Sequence, residues 1–361
     1  MRIFAATSRY IQGPGVIDDV GRHALELGRN AVVVADADVD RLFGRRIAQS
    51  FASQGARAQM LVCPNEVTKA AIAVLAERAQ SLCADVVVGV GGGKSIDTAK
   101  GIARLLCTRF VSVPTIASND GPASASIAVY DDHHAMVEVQ QLRRNPDLVL
   151  VDSRAIIGAP LRFLRAGIGD AISKKFEADA CVAAGAATLF GGQPSHTGIT
   201  VADACFRIIR QHGAAALRAA ERNEVTEDVE SLIEATVLLS TLAFENGGLS
   251  IAHAIARGFP MLERAAGSLH GAHVAYGLLV QLVLEERAPS FVDDIVATYV
   301  ELGLPRRLAD FGLTAPSTAE VRQLAQGAME SPSVRRFSRS MTASLLEEAI
   351  LVVEERAGVS Q

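Results

Sequence analysis

An α/β half followed by an all-helical half is the fold class this sequence predicts, and three observations carry it. Up to about residue 155, short continuous runs of Val, Ile and Leu alternate with longer amphipathic stretches, the pattern of a parallel sheet covered by helices. After Val151-Asp152 the strand-like runs nearly vanish, and Ala, Leu, Glu and Arg dominate. Within the first half, Asp85-Val-Val-Val-Gly-Val-Gly-Gly-Gly-Lys-Ser-Ile-Asp-Thr-Ala-Lys100 reads as a buried strand, three glycines and a helix. We therefore expect a nucleotide domain over 1–155 and a helical domain over 156–361, with a hinge near 152–160 and a cleft between them.

The elements follow in order. Strands are expected over 31–35, 58–62, 85–90, 110–113 and 148–151, because continuously apolar runs mark strands buried on both faces. Helices are expected over 16–28, 40–54, 67–82 and 94–106, each with apolar residues at helical spacing. The second half reads as helices over 170–185, 198–212, 214–222, 227–243, 248–258, 271–286, 291–302, 317–328 and 341–356. Pro160, Pro260, Pro305 and Pro316 punctuate this half.

Composition narrows the function classes. The 361 residues are 49% hydrophobic with mean hydropathy +0.25, enough for two sizeable cores. The net charge of −5 and the lack of a basic block argue against nucleic acid as a partner. No apolar run reaches the ~18 residues of a membrane span. The N-terminus is too short and polar for a signal peptide. Five cysteines without a C-x-x-C pair suit reduced, mostly buried thiols in a cytoplasmic protein.

The glycine turn has the makings of an anion site. Gly lets backbone approach a ligand that a Cβ would repel, and a helix N-terminus favours a phosphate. Gly91, Gly92, Gly93, Lys94 and Ser95 are its candidate residues. Two standard motifs each fail by one position: Val88 stands where a P-loop needs Gly, and Lys94 where the Rossmann fingerprint needs its last Gly. A tight connector without a ligand is the plain alternative. Asp36, at the carboxyl end of the 31–35 strand, can bond ribose hydroxyls and repel a 2′-phosphate, favouring NAD over NADP; a loop cap is the alternative.

The helical half carries Gly167-Ile-Gly-Asp170, Ser250-Ile-Ala-His253 and Ser268-Leu-His270-Gly-Ala-His273. One carboxylate and two imidazoles suit Zn²⁺ or Fe²⁺ with an open coordination position. An N-cap Asp and packed core histidines explain the same residues.

Taken together, these motifs resemble the glycerol dehydrogenases of the iron-type, metal-dependent alcohol dehydrogenase family. The resemblance runs from about Tyr10 to Pro289 and includes Tyr10-Ile-Gln-Gly-Pro, Gly91-Gly-Gly-Lys-Ser-Ile-Asp-Thr-Ala-Lys, Pro114-Thr-Ile-Ala-Ser-Asn-Asp-Gly-Pro, Asn145-Pro-Asp, Gly169-Asp-Ala, Phe176-Glu-Ala, Phe244-Glu-Asn-Gly-Gly-Leu and Ala252-His-Ala. It implies the dehydroquinate-synthase-like two-domain fold, with an N-terminal parallel-sheet nucleotide domain and a C-terminal helical metal domain. It implies metal ligands Asp170, His253 and His270, the metal being zinc or iron, with zinc favoured. It implies NAD contacts at Asp36, Gly93, Lys94, Thr115, Ser118, Ser124, Ser126 and Tyr130, and a substrate-side Asp120. His253 doubles as a catalytic candidate. Assembly from dimers into a homo-oligomer is also implied.

The sequence departs from the family pattern after each histidine ligand. Ala256-Arg257-Gly258 follows His253 where a second imidazole is common, and His270-Gly-Ala-His273 replaces His-Gly-Glu. Lys174 and Lys175 replace small or uncharged residues. On a helix, Lys174 lies one turn beyond Asp170 and faces the same way. It either points into the cleft, pairs with Asp170 or Glu177, or lies at a solvated helix end. His273 is either a proton shuttle or packed core. The expected activity is reversible NAD-linked oxidation of the secondary hydroxyl of glycerol or another small vicinal diol. The alternatives are dehydrogenation of an anionic or cyclic polyol, or a dehydroquinate-synthase-like lyase using NAD transiently.

Overall fold

The computed structural model describes residues 1–64, 66–131, 136–265 and 267–359. They form two compact units. One comprises Ala5–Leu161 with Ala219–Leu238, and the other Met1–Phe4, Arg162–Arg218 and Leu239–Gln361.

The first unit is built on six parallel strands: β1 (Tyr10–Gly13), β2 (Ala31–Ala35), β3 (Gln59–Val62), β4 (Val86–Gly91), β5 (Arg109–Pro114) and β8 (Leu148–Asp152), in the order β1-β8-β5-β4-β2-β3. β2, β4 and β8 are buried along their whole length. Alternate residues feed two cores. Val33, Val88 and Val90 pack with Ile17, Val20 and Phe51, while Val32, Val34 and Val87 pack with Leu61, Ile72, Ile96 and Ile102. Each buried Val contributes roughly 1.5–3 kcal/mol, and helices on both sides explain why these strands show no polar alternation. Helix Gly93–Leu106 lies so close to the sheet that a Cβ on Gly89 would come within 2.7 Å of the Ala99 Cβ.

The chain leaves β2 toward β3 on one side, then returns to β4 on the other. The sheet therefore has a switch point between β2 and β4, and ligands of open α/β sheets bind beyond the carboxyl ends of strands at such a point. Asp36 ends one of these strands and Gly91–Gly93 the other.

Two strands form a separate antiparallel pair, β6 (Ser126–Tyr130) and β7 (Met136–Gln141). These two, edge strand β1, and helices Ser153–Gly158 and Leu161–Ala171 are additions to the sequence reading. The expected helix over 16–28 is a 3₁₀ turn, Val16–Asp19, followed by a short α-helix, Val20–Leu25.

In the helical unit, the expected helix over 170–185 is interrupted. Leu161–Ala171 ends just past Asp170, and Lys174–Ala183 begins after Ser173, whose hydroxyl donates to the Asp170 carbonyl at 2.8 Å. A serine competing for backbone in this way loosens a helix. The expected break at Gly213 is absent: helix His196–Glu221 runs through it, and a Cβ there would lie 2.8 Å from Leu302 Cδ2. The expected helix over 227–243 is two α-helices, Glu227–Glu234 and Ser240–Gly247, joined by a π segment, Ala235–Leu239. There the Thr236 hydroxyl donates to the carbonyls of Leu232 and Ile233. Among the described residues, no helix is long and apolar enough to cross a membrane. Cys63, Cys181 and Cys205 are buried, a majority as expected, while Cys83 and Cys107 are exposed.

Helix Thr318–Met329 opens on a capping box between Ser317 and Glu320. Hydrogen bonds from Ser317 and the Arg264 guanidinium hold the Glu320 carboxyl down to about 2. A depressed carboxyl stabilises above its unfolded value of about 4.5 and loses that contribution as pH falls toward 2. Glu320→Gln is therefore expected to lower Tm at pH 7, with the gap from the native chain closing between about pH 4.5 and 2 in thermal melts.

Candidate functional site

The first candidate site lies at the switch point. Gly91 adopts φ +136°, and a Cβ there would meet Ser95 at 2.9 Å, so glycine is required to turn β4 into the helix. Gly92 is the N-cap, with no side-chain cap on the helix. Gly93 opens the helix, with little near it but Asn119 at 3.4 Å. Asp36 caps helix Ala37–Ala52 by accepting from the Val39 amide at 2.9 Å, and it accepts from the Ser95 hydroxyl at 3.0 Å. The two strand ends are thereby tied together. Lys94 pairs with Glu66.

The segment after β5 carries the remaining nucleotide-side candidates. Thr115 is nearly buried, and its amide donates to the Gly91 carbonyl at 3.0 Å. Ser118 is half-buried, and Asp120 is buried at the start of the 3₁₀ turn Gly121–Ala123. Ser124 is fully buried: its hydroxyl donates to the Gly121 carbonyl and accepts from the Ser126 amide. Ser126 and Tyr130 bound the half-buried strand β6.

Lys100 was not given a role on sequence grounds. It is fully buried, and its ammonium donates to the carbonyls of Gly121 and Ser126, each at 2.7 Å, with Asp97 at 3.3 Å and Ser124 Oγ at 3.4 Å. Asp97, raised by burial despite Lys100, also accepts from the Ala128 amide. This buried pair clamps the 121–128 segment onto the Gly-rich helix. The i, i+3 placement of Asp97 and Lys100 in an otherwise apolar stretch is the signal that could have found it.

The second candidate site lies in the helical unit. Asp170, His253 and His270 offer ligand atoms that all lie within 4.8 Å of one another. They come from the end of helix Leu161–Ala171, from helix Ile251–Gly258 and from the first residue of helix His270–Leu284. Two glycines bring the helices together. A Cβ on Gly271 would sit 1.8 Å from the Ala166 carbonyl oxygen, and one on Gly169 would sit 2.4 Å from that of Gly271. Asp170 is buried, His253 partly buried and His270 exposed, so the set opens toward solvent on its histidine side.

Glu177 completes this set. It is fully buried and accepts from the His253 amide and from His253 Nδ1 at 2.7 Å, leaving Nε2 turned toward Asp170 at 3.3 Å. A carboxylate on the far nitrogen of a ligating histidine fixes its orientation and raises its basicity. Burial works against charge on both residues, yet Glu177 stays below its ordinary range beside His253, and His253 is pushed up to about 9. Glu177 lies two helical turns beyond Asp170, a buried acid in an Ala-rich stretch, and that spacing could have marked it.

Of its expected readings, Lys174 takes the salt bridge to Asp170. It is fully buried, with Nζ 2.5 Å from Asp170 Oδ1 and 3.2 Å from His253 Nε2. Burial favours a neutral Asp170, but the Lys174 ammonium and His253 hold the carboxyl far below its ordinary range. Lys175 instead pairs with Asp179 and Asp203 at the surface. His273 packs: it stacks on Phe259 at 4.3 Å between ring centroids, bonds Ser268 at 2.5 Å, and is pushed down by burial to about 3.

The family described as iron-containing alcohol dehydrogenase matches over residues 11–160. A glycolaldehyde reductase of Halobacterium salinarum is 37% identical, the match covering 98% of this chain and 97% of that protein. The chain belongs to the iron-containing alcohol dehydrogenase family. This member is also 37% identical to a glycerol dehydrogenase of Thermotoga maritima, over 89% of this chain and 88% of that protein. Among solved structures, a probable glycerol dehydrogenase from Sinorhizobium meliloti superposes with a TM-score of 0.94 at 34% identity, covering 100% of both chains. The fold is accordingly the dehydroquinate-synthase-like one, and the protein is an alcohol dehydrogenase.

Proposed function

We propose that this alcohol dehydrogenase interconverts the secondary hydroxyl of glycerol, or of another small vicinal diol, and the corresponding carbonyl, using NAD and a divalent metal. The observation that carries the reading is the convergence of Asp170, His253 and His270 on one point. An oxygen and two imidazole nitrogens are a donor set for Zn²⁺ or Fe²⁺, with room left for substrate. Such an ion supplies Lewis acidity toward the reacting hydroxyl, and NAD supplies the hydride acceptor.

The chain's own residues do the positioning. Glu177 orients His253 through Nδ1 and leaves Nε2 for ligation. The uncapped N-terminus of helix Gly93–Leu106 would hold the dinucleotide phosphates, and Gly93 would leave room for them. Asp36 is positioned for the adenosine ribose, with Ser95 holding its carboxylate. Thr115, Ser118, Ser124, Ser126 and Tyr130 shape the remainder of the cofactor site, and Asp120 orients the substrate. Related proteins named for glycolaldehyde and for glycerol share a small substrate with oxygens on adjacent carbons, which supports a vicinal pair as the recognised unit. Assembly from dimers and a cytoplasmic setting belong to the same reading.

The test is NADH production from glycerol and 1,2-propanediol, with NADH consumption by glycolaldehyde and dihydroxyacetone. The chain has no Trp, so NADH fluorescence is read against a quiet background. Net, stoichiometric NADH with the diols is expected. Turnover confined to phosphorylated or cyclic polyols would overturn the substrate assignment, and product formation without net NADH would overturn the reaction.

A further inference from the structure

The cation already present among the metal donors is the unexpected part of this site. Resting on the reading of Asp170, His253 and His270 as metal ligands, we propose that the Lys174 ammonium is an internal competitor of the metal. It occupies the coordination position in the metal-free protein and must leave when a divalent ion enters.

The geometry places this cation among the ligand atoms. Nζ lies 2.5 Å from Asp170 Oδ1 and 3.2 Å from His253 Nε2, the atoms that Asp170 and His253 would offer a metal. No second cation can share that space: two like charges a few ångströms apart in a buried site repel strongly. The ammonium is also held in reserve. Lys174 begins a new helix after the interruption at Ile172-Ser173, and the Phe244 ring lies 5.9 Å from Nζ. An aromatic face at that distance attracts a cation and offers the displaced ammonium a second place to rest.

Two consequences follow. Metal binding has to break the Lys174–Asp170 pair, so affinity is lower than the donor set alone would give. Loss of metal leaves the Asp170 carboxylate with the Lys174 ammonium at 2.5 Å in addition to His253 Nε2 at 3.3 Å, so the metal-free protein keeps more of its stability. A lysine that merely packs has neither effect.

The test compares the native chain with Lys174→Met and Lys174→Gln, all full-length, prepared with Zn²⁺ bound and then stripped. Met keeps most of the length of the side chain without its charge; Gln keeps a donor without the charge. Zn²⁺ affinity is measured by competition with a chromophoric chelator, and Tm is measured in zinc-loaded and zinc-free protein. Both variants are expected to bind Zn²⁺ about tenfold or more tightly than the native chain, the size of effect that neighbours of metal ligands commonly have. Both are also expected to lose far more Tm on stripping, up to folding only when loaded. Native-like affinity in both variants, or equal Tm losses with and without zinc, would overturn the proposal while leaving the metal site standing. Absence of Zn²⁺ binding by all three chains would instead remove the metal-site reading, and the proposal with it.

Discussion

Asp170→Ala is expected to abolish turnover and bound divalent metal together. The side chain is the only carboxylate in the ligand set, and its helix is fixed against the His270 helix by Gly169 and Gly271. Neither histidine can move to replace it. Loss of Lewis acidity amounts to several kcal/mol in the barrier, so kcat/KM should fall about 10³-fold or more. The variant should also be less stable by about 3 kcal/mol when metal-free, because the buried Lys174 ammonium loses the Asp170 carboxylate 2.5 Å away. Metal analysis and NADH assays on the same preparation check the first claim, and urea denaturation the second. Full turnover by metal-free Asp170→Ala protein would contradict the mechanism.

Lys100→Met is expected to have the second largest effect, in the other unit. Four oxygens converge on this ammonium, and the substitution leaves Asp97 and the Gly121 and Ser126 carbonyls without it. Breaking a buried charge pair typically costs 3–5 kcal/mol, so stability should drop by about 3 kcal/mol. The segment that loosens bears Asp120, Ser124 and Ser126, and NADH binding should therefore weaken about tenfold when a positioned site becomes mobile. Fluorescence titration of folded protein below its melting range measures this. Unchanged NADH affinity beside lowered stability would detach Lys100 from the cofactor site.

Legibility in the sequence followed how strongly each element is determined locally. Apolar runs such as Ala31–Ala35 and the Gly91–Gly93 turn announce themselves, because burial on both faces and a positive φ each demand particular residue types. β1 and β6 do not, since Tyr10–Gly13 and Ser126–Tyr130 are short and half-buried, and β1 is defined by β8, more than a hundred residues along the chain. The break after Asp170 was hidden because its cause is one serine hydroxyl, and Gly213 misled because glycine serves close packing as readily as a stop. Asp170, His253 and His270 were legible through resemblance, not spacing. The role of Glu177 depends on a helix more than seventy residues away, and Lys174 could be narrowed only to three alternatives.

The segment Ala219–Leu238 has a consequence for how the protein is made. It belongs to the α/β unit although the chain has by then passed through Arg162–Arg218. Glu230 accepts from the Gln12 amide through both its carbonyl and its carboxylate, and from the Ser153 hydroxyl at 2.7 Å. Strand β1 leaves the ribosome well before its ladder partner β8, and the Gln12 side chain on it finds Glu230 more than two hundred residues later. The α/β unit therefore cannot finish folding during synthesis until Ala219–Leu238 has emerged. A nascent chain stalled near residue 165 would present a parallel sheet with one edge still waiting for its cover, a natural point for a chaperone to engage.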